Sequence, residues 1–183
     1  MEGLVLDPAL ERARYESRRP FLAAQEALRA VMAPGIFLQP ETAASVADQV
    51  WETLWAEGKA PETCDPKELA EVQASFAVLS PRREAGGWSL AATLMIGLPE
   101  EVRAVRLAEL EGLPDQLRLE LSDGRMVIPS VDRGMAPEGG RLPTVLALRW
   151  SVPGGAEPEA FLSEHLELSG RWPAPAMDVW ALY

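Results

Sequence analysis

The chain has 183 residues, one cysteine and a net charge of −11 at neutral pH. That length predicts a single domain with a substantial core; the alternative is two lobes, 1–83 helical and 84–183 sheet-centred. The negative charge is spread, −5 over residues 1–88 and −6 over 89–183, which argues against phosphate backbones and anionic lipid as partners.

The lone Cys64 excludes an internal disulfide framework. No apolar run is long enough for a bilayer span. The first residues, Met1-Glu2-Gly3-Leu4-Val5-Leu6-Asp7-Pro8, lack the basic start and apolar core of a signal peptide. These features predict a cytoplasmic protein with neither nucleic acid nor membrane as partner. Fifteen arginines stand against two lysines, a bias that suits a GC-rich genome and is reported in some thermophile families.

Asp7-Pro8 reads as a cap followed by proline at the first helical position, opening a short helix to about Arg18. Pro20 starts a new turn. Phe21, Ala24, Leu28, Val31 and Met32 then recur at helical spacing, and Pro34-Gly35 ends the run. Ile36-Phe37-Leu38 before Pro40 reads as an edge strand. Thr42 caps the next helix, whose stripe is Val46, Val50 and Leu54, widened by Ala43, Ala47, Trp51 and Trp55; Gly58 is placed to end it. Asp65-Pro66-Lys67-Glu68 opens another helix, with Leu69, Val72, Phe76 and Leu79 as its buried face. Residues 82–87 read as a loop and as the boundary between lobes.

From Ser89 the period becomes two. Leu90, Ala92, Leu94, Ile96 and Leu98 share one face of a strand. Pro99-Glu100-Glu101 opens a helix with both carboxylates near its positive end, and Gly112 closes it. Leu117, Leu119 and Leu121 alternate with Arg118 and Glu120. Ser122-Asp123-Gly124-Arg125 follows, and Asp-Gly is the residue pair of a tight type I′ hairpin turn, so Met126-Val127-Ile128 is the returning strand. The second half is expected to be built on this hairpin. Residues 132–143, rich in glycine and proline, read as a loop. Thr144 to Val152 alternates again, with Leu146, Leu148, Trp150 and Val152 on one side. Residues 157–165 read as a short helix and 166–172 as a last strand, before a tail with no regular period. The sum is an α+β fold, with a helical N-terminal half and a mainly antiparallel sheet with a hairpin in the C-terminal half.

The chemical candidates are few. His165 is the only histidine, too few for a carboxylate di-iron bundle or the usual zinc set. No metal and no cofactor are therefore expected, and His165 reads as a helix-end or surface residue. Cys64 precedes a helix start, where the dipole lowers a thiol's pKa; with His165 the one imidazole to serve as base, it reads as a loop thiol. Glu100 with Glu101, and Glu109 with Glu111, read as solvated helix surface. Trp51 and Trp55, four apart on one helix, line either a core, a contact between copies or an apolar pocket. Arg133 and Arg141 flank the glycine-bearing loop and are the candidate ligand-binding residues, as anion binders on an otherwise acidic surface.

Four stretches resemble an uncharacterised bacterial family of about this length: Tyr15-Glu16-Ser17-Arg18-Arg19-Pro20, Gly35-Ile36-Phe37-Leu38-Gln39-Pro40-Glu41-Thr42, residues 89–96 and residues 117–128. The chain departs from that family's more basic pattern at residues 23–27. The family's genes often lie beside rubrerythrin-like and iron–sulfur proteins. The resemblance thus implies a non-catalytic accessory role with a redox protein partner. The alternative is an enzyme or small-ligand binder with its site near residues 132–143. Self-association into a homodimer is also expected, because Trp51, Trp55, Trp172, Trp180 and Tyr183 lie outside the obvious strand faces.

Overall fold

The structure is a computed structural model that describes residues 8–59, 63–131 and 142–181. The fold is α+β, with helices interspersed among two antiparallel sheets and a C-terminal half that is mostly strand.

The first helix, α1 (Pro8–Ala27), is continuous and holds Pro20 inside it. It does not restart there, and the second helix expected through Met32 is instead strand β1 (Ala30–Ala33). The helical spacing of Leu28, Val31 and Met32 concealed a period of two: Ala30 and Met32 are buried while Val31 between them is exposed. Pro34-Gly35 is then a hairpin turn, with Gly35 at φ +76°, and β2 (Ile36–Glu41) returns against β1. Strand β2 is not an edge. It also pairs along its length with β4, and Pro40 lies opposite Ala92. A proline is accepted there because β1 stops pairing at Leu38; the Pro40 carbonyl takes the Gln39 side-chain amide at 3.2 Å instead of a neighbouring strand.

Helix α2 (Ala43–Ala56) starts as expected. Thr42 accepts from the Ser45 N–H at 3.0 Å, and the Ser45 hydroxyl accepts from the Thr42 N–H at 2.8 Å, a reciprocal box in which serine stands in for the usual Glu or Gln. It ends as expected too. Gly58 is left-handed, its N–H reaches the Trp55 carbonyl, and the Lys59 N–H reaches that of Leu54, the paired bonds of a Schellman end. Val46, Val50 and Leu54 are its buried stripe. Helix α3 (Pro66–Ser75) is capped by Asp65, but Leu69, Val72 and Phe76 are only half-buried, and of the expected face Leu79 alone is fully buried.

Residues 82–87 are not a loop. They form β3 (Arg82–Glu84) and the turn into β4 (Gly87–Ile96). Strand β4 is central: β8 pairs along one edge, while β2 (opposite 91–96) and β3 (opposite 87–89) share the other. Helix α4 (Glu100–Glu109) and the short α5 (Leu113–Gln116), separated by left-handed Gly112, lead into β5 (Leu117–Leu121) and β6 (Met126–Val127). The hairpin is present, but its loop is longer than a two-residue turn. The Gly124 N–H bonds the Leu121 carbonyl, and the Leu121 N–H bonds the Arg125 carbonyl. Those bonds define a three-residue loop, with left-handed Gly124 (φ +79°) closing it.

Strand β7 (Ser130–Val131) and β8 (Val145–Pro153) belong to the six-stranded sheet, in the order β1-β2-β4-β8-β7 with β3 beside β4. The segment expected to be a short helix, 157–165, is instead β9 (Pro158–Ser163), which pairs with both β5 and β10 (Gly170–Pro173). Pairing on both edges makes it a strand: Phe161 stands opposite Leu119 of β5 and Trp172 of β10, and burial falls on both of its faces with only Glu159 exposed. The tail folds into α6 (Met177–Ala181), which carries fully buried Trp180 against Phe161, ring centroids 6.2 Å apart.

The four-stranded sheet runs β10-β9-β5-β6. The hairpin thus lies towards one side of this smaller sheet, and the longest pairing, β4 with β8, lies in the other. One core joins both sheets: Leu38, Leu90, Leu94, Leu148 and Trp150 from the first, Leu117, Leu119 and Phe161 from the second. No helix among the described residues is long and apolar enough to cross a membrane.

Candidate functional site

Arg133 and Arg141 lie outside the described residues, as does nearly all of the loop that carries them. The other candidates are described, and most are tied into the fold.

His165 is not a surface residue. It is 5% exposed, in the turn after β9. Its Nε2 stands 3.1 Å from the Glu111 carbonyl, and its Nδ1 accepts from the Glu167 N–H at 3.3 Å. An acceptor on one side and a donor on the other assign the proton to Nε2, and the ring fastens this turn to the end of α4. Cys64 donates to the Glu68 carboxylate at 3.4 Å. Its pKa is raised, first by partial burial and then by that carboxylate; the helix dipole does not win. Glu68 itself is lowered, chiefly by Lys59. Glu100, Glu101, Glu109 and Glu111 lie on exposed surface, where Glu109 pairs with Arg106. Among the described residues no three His, Cys, Asp or Glu side chains converge as metal ligands.

Two polar sites on the six-stranded sheet escaped the sequence reading. Glu41, at the end of β2, is 2% exposed. Its Oε2 accepts from Ser45 Oγ at 2.7 Å and Gln49 Nε2 at 2.9 Å, and its Oε1 from Thr93 Oγ1 at 2.5 Å. This carboxylate sews β2 and β4 to α2 through neutral donors. Arg149 on β8 donates to Ser89 Oγ at 2.5 Å and to the Ser80 carbonyl at 3.3 Å. Its pKa is lowered by burial and then by the charge of Arg82. A signal for Glu41 existed: a carboxylate directly before a helix cap, and a threonine inside an otherwise apolar strand. Only the register that sets Gln39 opposite Thr93 brings the two together.

Trp51 and Trp55 line a groove of about 470 Å³ between α1 and α2. Phe21 of α1 lines it with them, as do the small Ala44 and Ala47 of α2. Arg18 and Asp48 close one side. Arg18 Nε donates to Asp48 Oδ1 at 2.8 Å, a second nitrogen also contacts Asp48, and Nη2 reaches Glu52 at 2.9 Å. The Asp48 hydrogen bond is the main reason the Arg18 pKa is raised. Trp51 remains 44% exposed. A smaller hollow of about 220 Å³ lies where the β3–β4 turn meets the end of β8.

No known protein-family model matches the chain, and no curated protein matches it. The chain is similar in fold to a solved bacterial structure, described as a novel protein of unknown function from Burkholderia pseudomallei K96243. The TM-score is 0.69 at 20% identity, over 97% of this chain and 91% of the other. At that identity the likeness is one of fold.

Proposed function

We propose that this is a non-catalytic binding protein whose working surface is the groove between α1 and α2, and that it takes a small, largely apolar molecule. The observation that carries this reading is a concave site of about 470 Å³ walled by Phe21, Trp51 and Trp55, with one indole 44% exposed. That volume suits a small ligand, and aromatic walls with a few polar groups at one side are what such sites present. The chain's nucleophile and imidazole support it from the other direction. The Cys64 thiol has a raised pKa, and His165 spends both ring nitrogens on backbone groups.

A fragment screen by NMR tests the reading. Fragments should shift the Trp51 indole resonance, and their binding should be lost in Trp51→Ala. Binding that leaves Trp51 unshifted overturns it. Binding abolished by Arg133→Ala with Arg141→Ala instead favours the second reading, a site near residues 132–143. A light-scattering mass recorded beside each titration shows whether a second copy competes for the same face.

The finer role, an accessory protein beside a redox partner, is supported by the family resemblance. Its stretch 35–42 here builds β2 and the cap of α2, the helix that walls the groove. A pull-down from native extract that recovers no redox protein counts against it.

A further inference from the structure

This inference rests on the groove between α1 and α2 being a binding site. We propose that the groove selects a flat aromatic molecule carrying one positive charge, such as an arylalkylammonium ion. The ion cluster at its side sets the sign. Arg18 meets two carboxylates, Asp48 and Glu52, so the cluster holds one negative charge in excess. Its Nε and Nη2 donors are already turned to those carboxylates, so an anion approaching the guanidinium meets two negative charges beside it.

Glu52 has room for a second cation: its side chain is 55% exposed, against 17% for Asp48. Glu52 does not line the groove itself; it stands at the rim, four residues after Asp48 on α2, and reaches the groove through the Arg18 guanidinium that it shares with Asp48. The aromatic walls add to the preference. The face of an indole carries the negative end of its quadrupole and attracts ammonium groups, tryptophan most strongly. At longer range the net charge of −11 raises the local concentration of cations and lowers that of anions.

The test is calorimetric titration of the whole chain with three naphthalene probes: (2-naphthylmethyl)trimethylammonium, uncharged 2-naphthalenemethanol and 2-naphthalenesulfonate. The ammonium probe should bind about fivefold more tightly than the alcohol, the gain expected of one exposed ion pair with a cation–aromatic contact, and the sulfonate most weakly. Glu52→Gln, a change at an exposed position, should remove about half of that preference, the ammonium probe losing more affinity than the alcohol. Trp51→Ala should weaken both. Equal affinity for ammonium and alcohol, or tightest binding of the sulfonate, overturns the charge selection while leaving the groove a binding site. If none of the three binds to the wild type, or binding persists unchanged in Trp51→Ala, the groove itself is refuted as the site.

Discussion

The outer faces of the two sheets carry similar polar residues and put them to opposite uses. On the four-stranded sheet Arg118, Glu120, Glu159 and Arg171 stay within reach of water, and Arg171 reaches Glu120 at 2.7 Å and Glu159 at 3.9 Å across the strands. On the six-stranded sheet the same side of the pleat is covered. Glu41 is sealed among Ser45, Gln49 and Thr93, and Arg149 is held by Ser89 and the carbonyls that follow α3. The contrast teaches that strand alternation tells which way a polar side chain points, and the covering helices decide whether water is there to meet it. A sealed carboxylate has to find all its donors inside the protein; a wet one does not.

The largest effect that can break this comparison is at Glu41. Glu41→Ala should cost about 2–4 kcal/mol in urea unfolding, because it opens a void and takes the acceptor from buried Thr93 and half-buried Gln49; Ser45 Oγ keeps the Thr42 carbonyl at 3.0 Å. Glu41→Gln, which keeps the shape and one acceptor oxygen, should cost less than half as much. Arg171→Ala on the wet face should cost roughly 0.2–1 kcal/mol, shrinking further in 1 M salt. A loss at Arg171 equal to that at Glu41 would erase the distinction.

The smallest effect is in acid, at the exposed hairpin of the four-stranded sheet. Arg125 holds the Asp123 carboxyl below the usual aspartate range, first through its side chain and then through its backbone N–H. A depressed folded pKa adds stability above the unfolded value, about 3.9. That contribution is lost as pH falls through the lower folded value. The wild type should therefore show a slightly steeper decline below about pH 4 than Asp123→Asn; parallel acid curves for the two would remove Asp123 from the account.

Much of the fold was legible because its signals are local. The Thr42 and Asp65 caps, left-handed Gly58 and Gly112, and the alternating strands around Leu94 and Trp150 each depend on residues a few positions apart. Elsewhere the failures have particular causes. Val31 at helical spacing from Leu28 disguised β1, whose partner β2 is what makes it a strand. Residues 158–163 carry no turn signal of their own and become β9 because β5 and β10 flank them. Pro40 argued for an edge, and only the early end of β1 makes it acceptable inside a sheet. Of the groove, Trp51 and Trp55 were visible, while Phe21 and Arg18 were not, since nothing local sets α1 beside α2. The Glu41 cluster was hidden for the same reason: the carboxylate is on β2 and its donors come from α2 and β4.

Gly87 has a consequence for how this chain can diverge. A Cβ there would stand 2.1 Å from the Val152 carbonyl oxygen and 2.9 Å from the Gly154 nitrogen. Beside it the Gly154 N–H already bonds the Gly86 carbonyl at 2.7 Å. The turn between β3 and β4 and the turn leaving β8 are thus in backbone contact, and no side chain fits between them. Position 87 is closed to every other amino acid while both turns keep their places. A chain that has drifted almost everywhere else must keep glycine at this point or show the two turns moved apart, which makes the position a marker of this turn geometry.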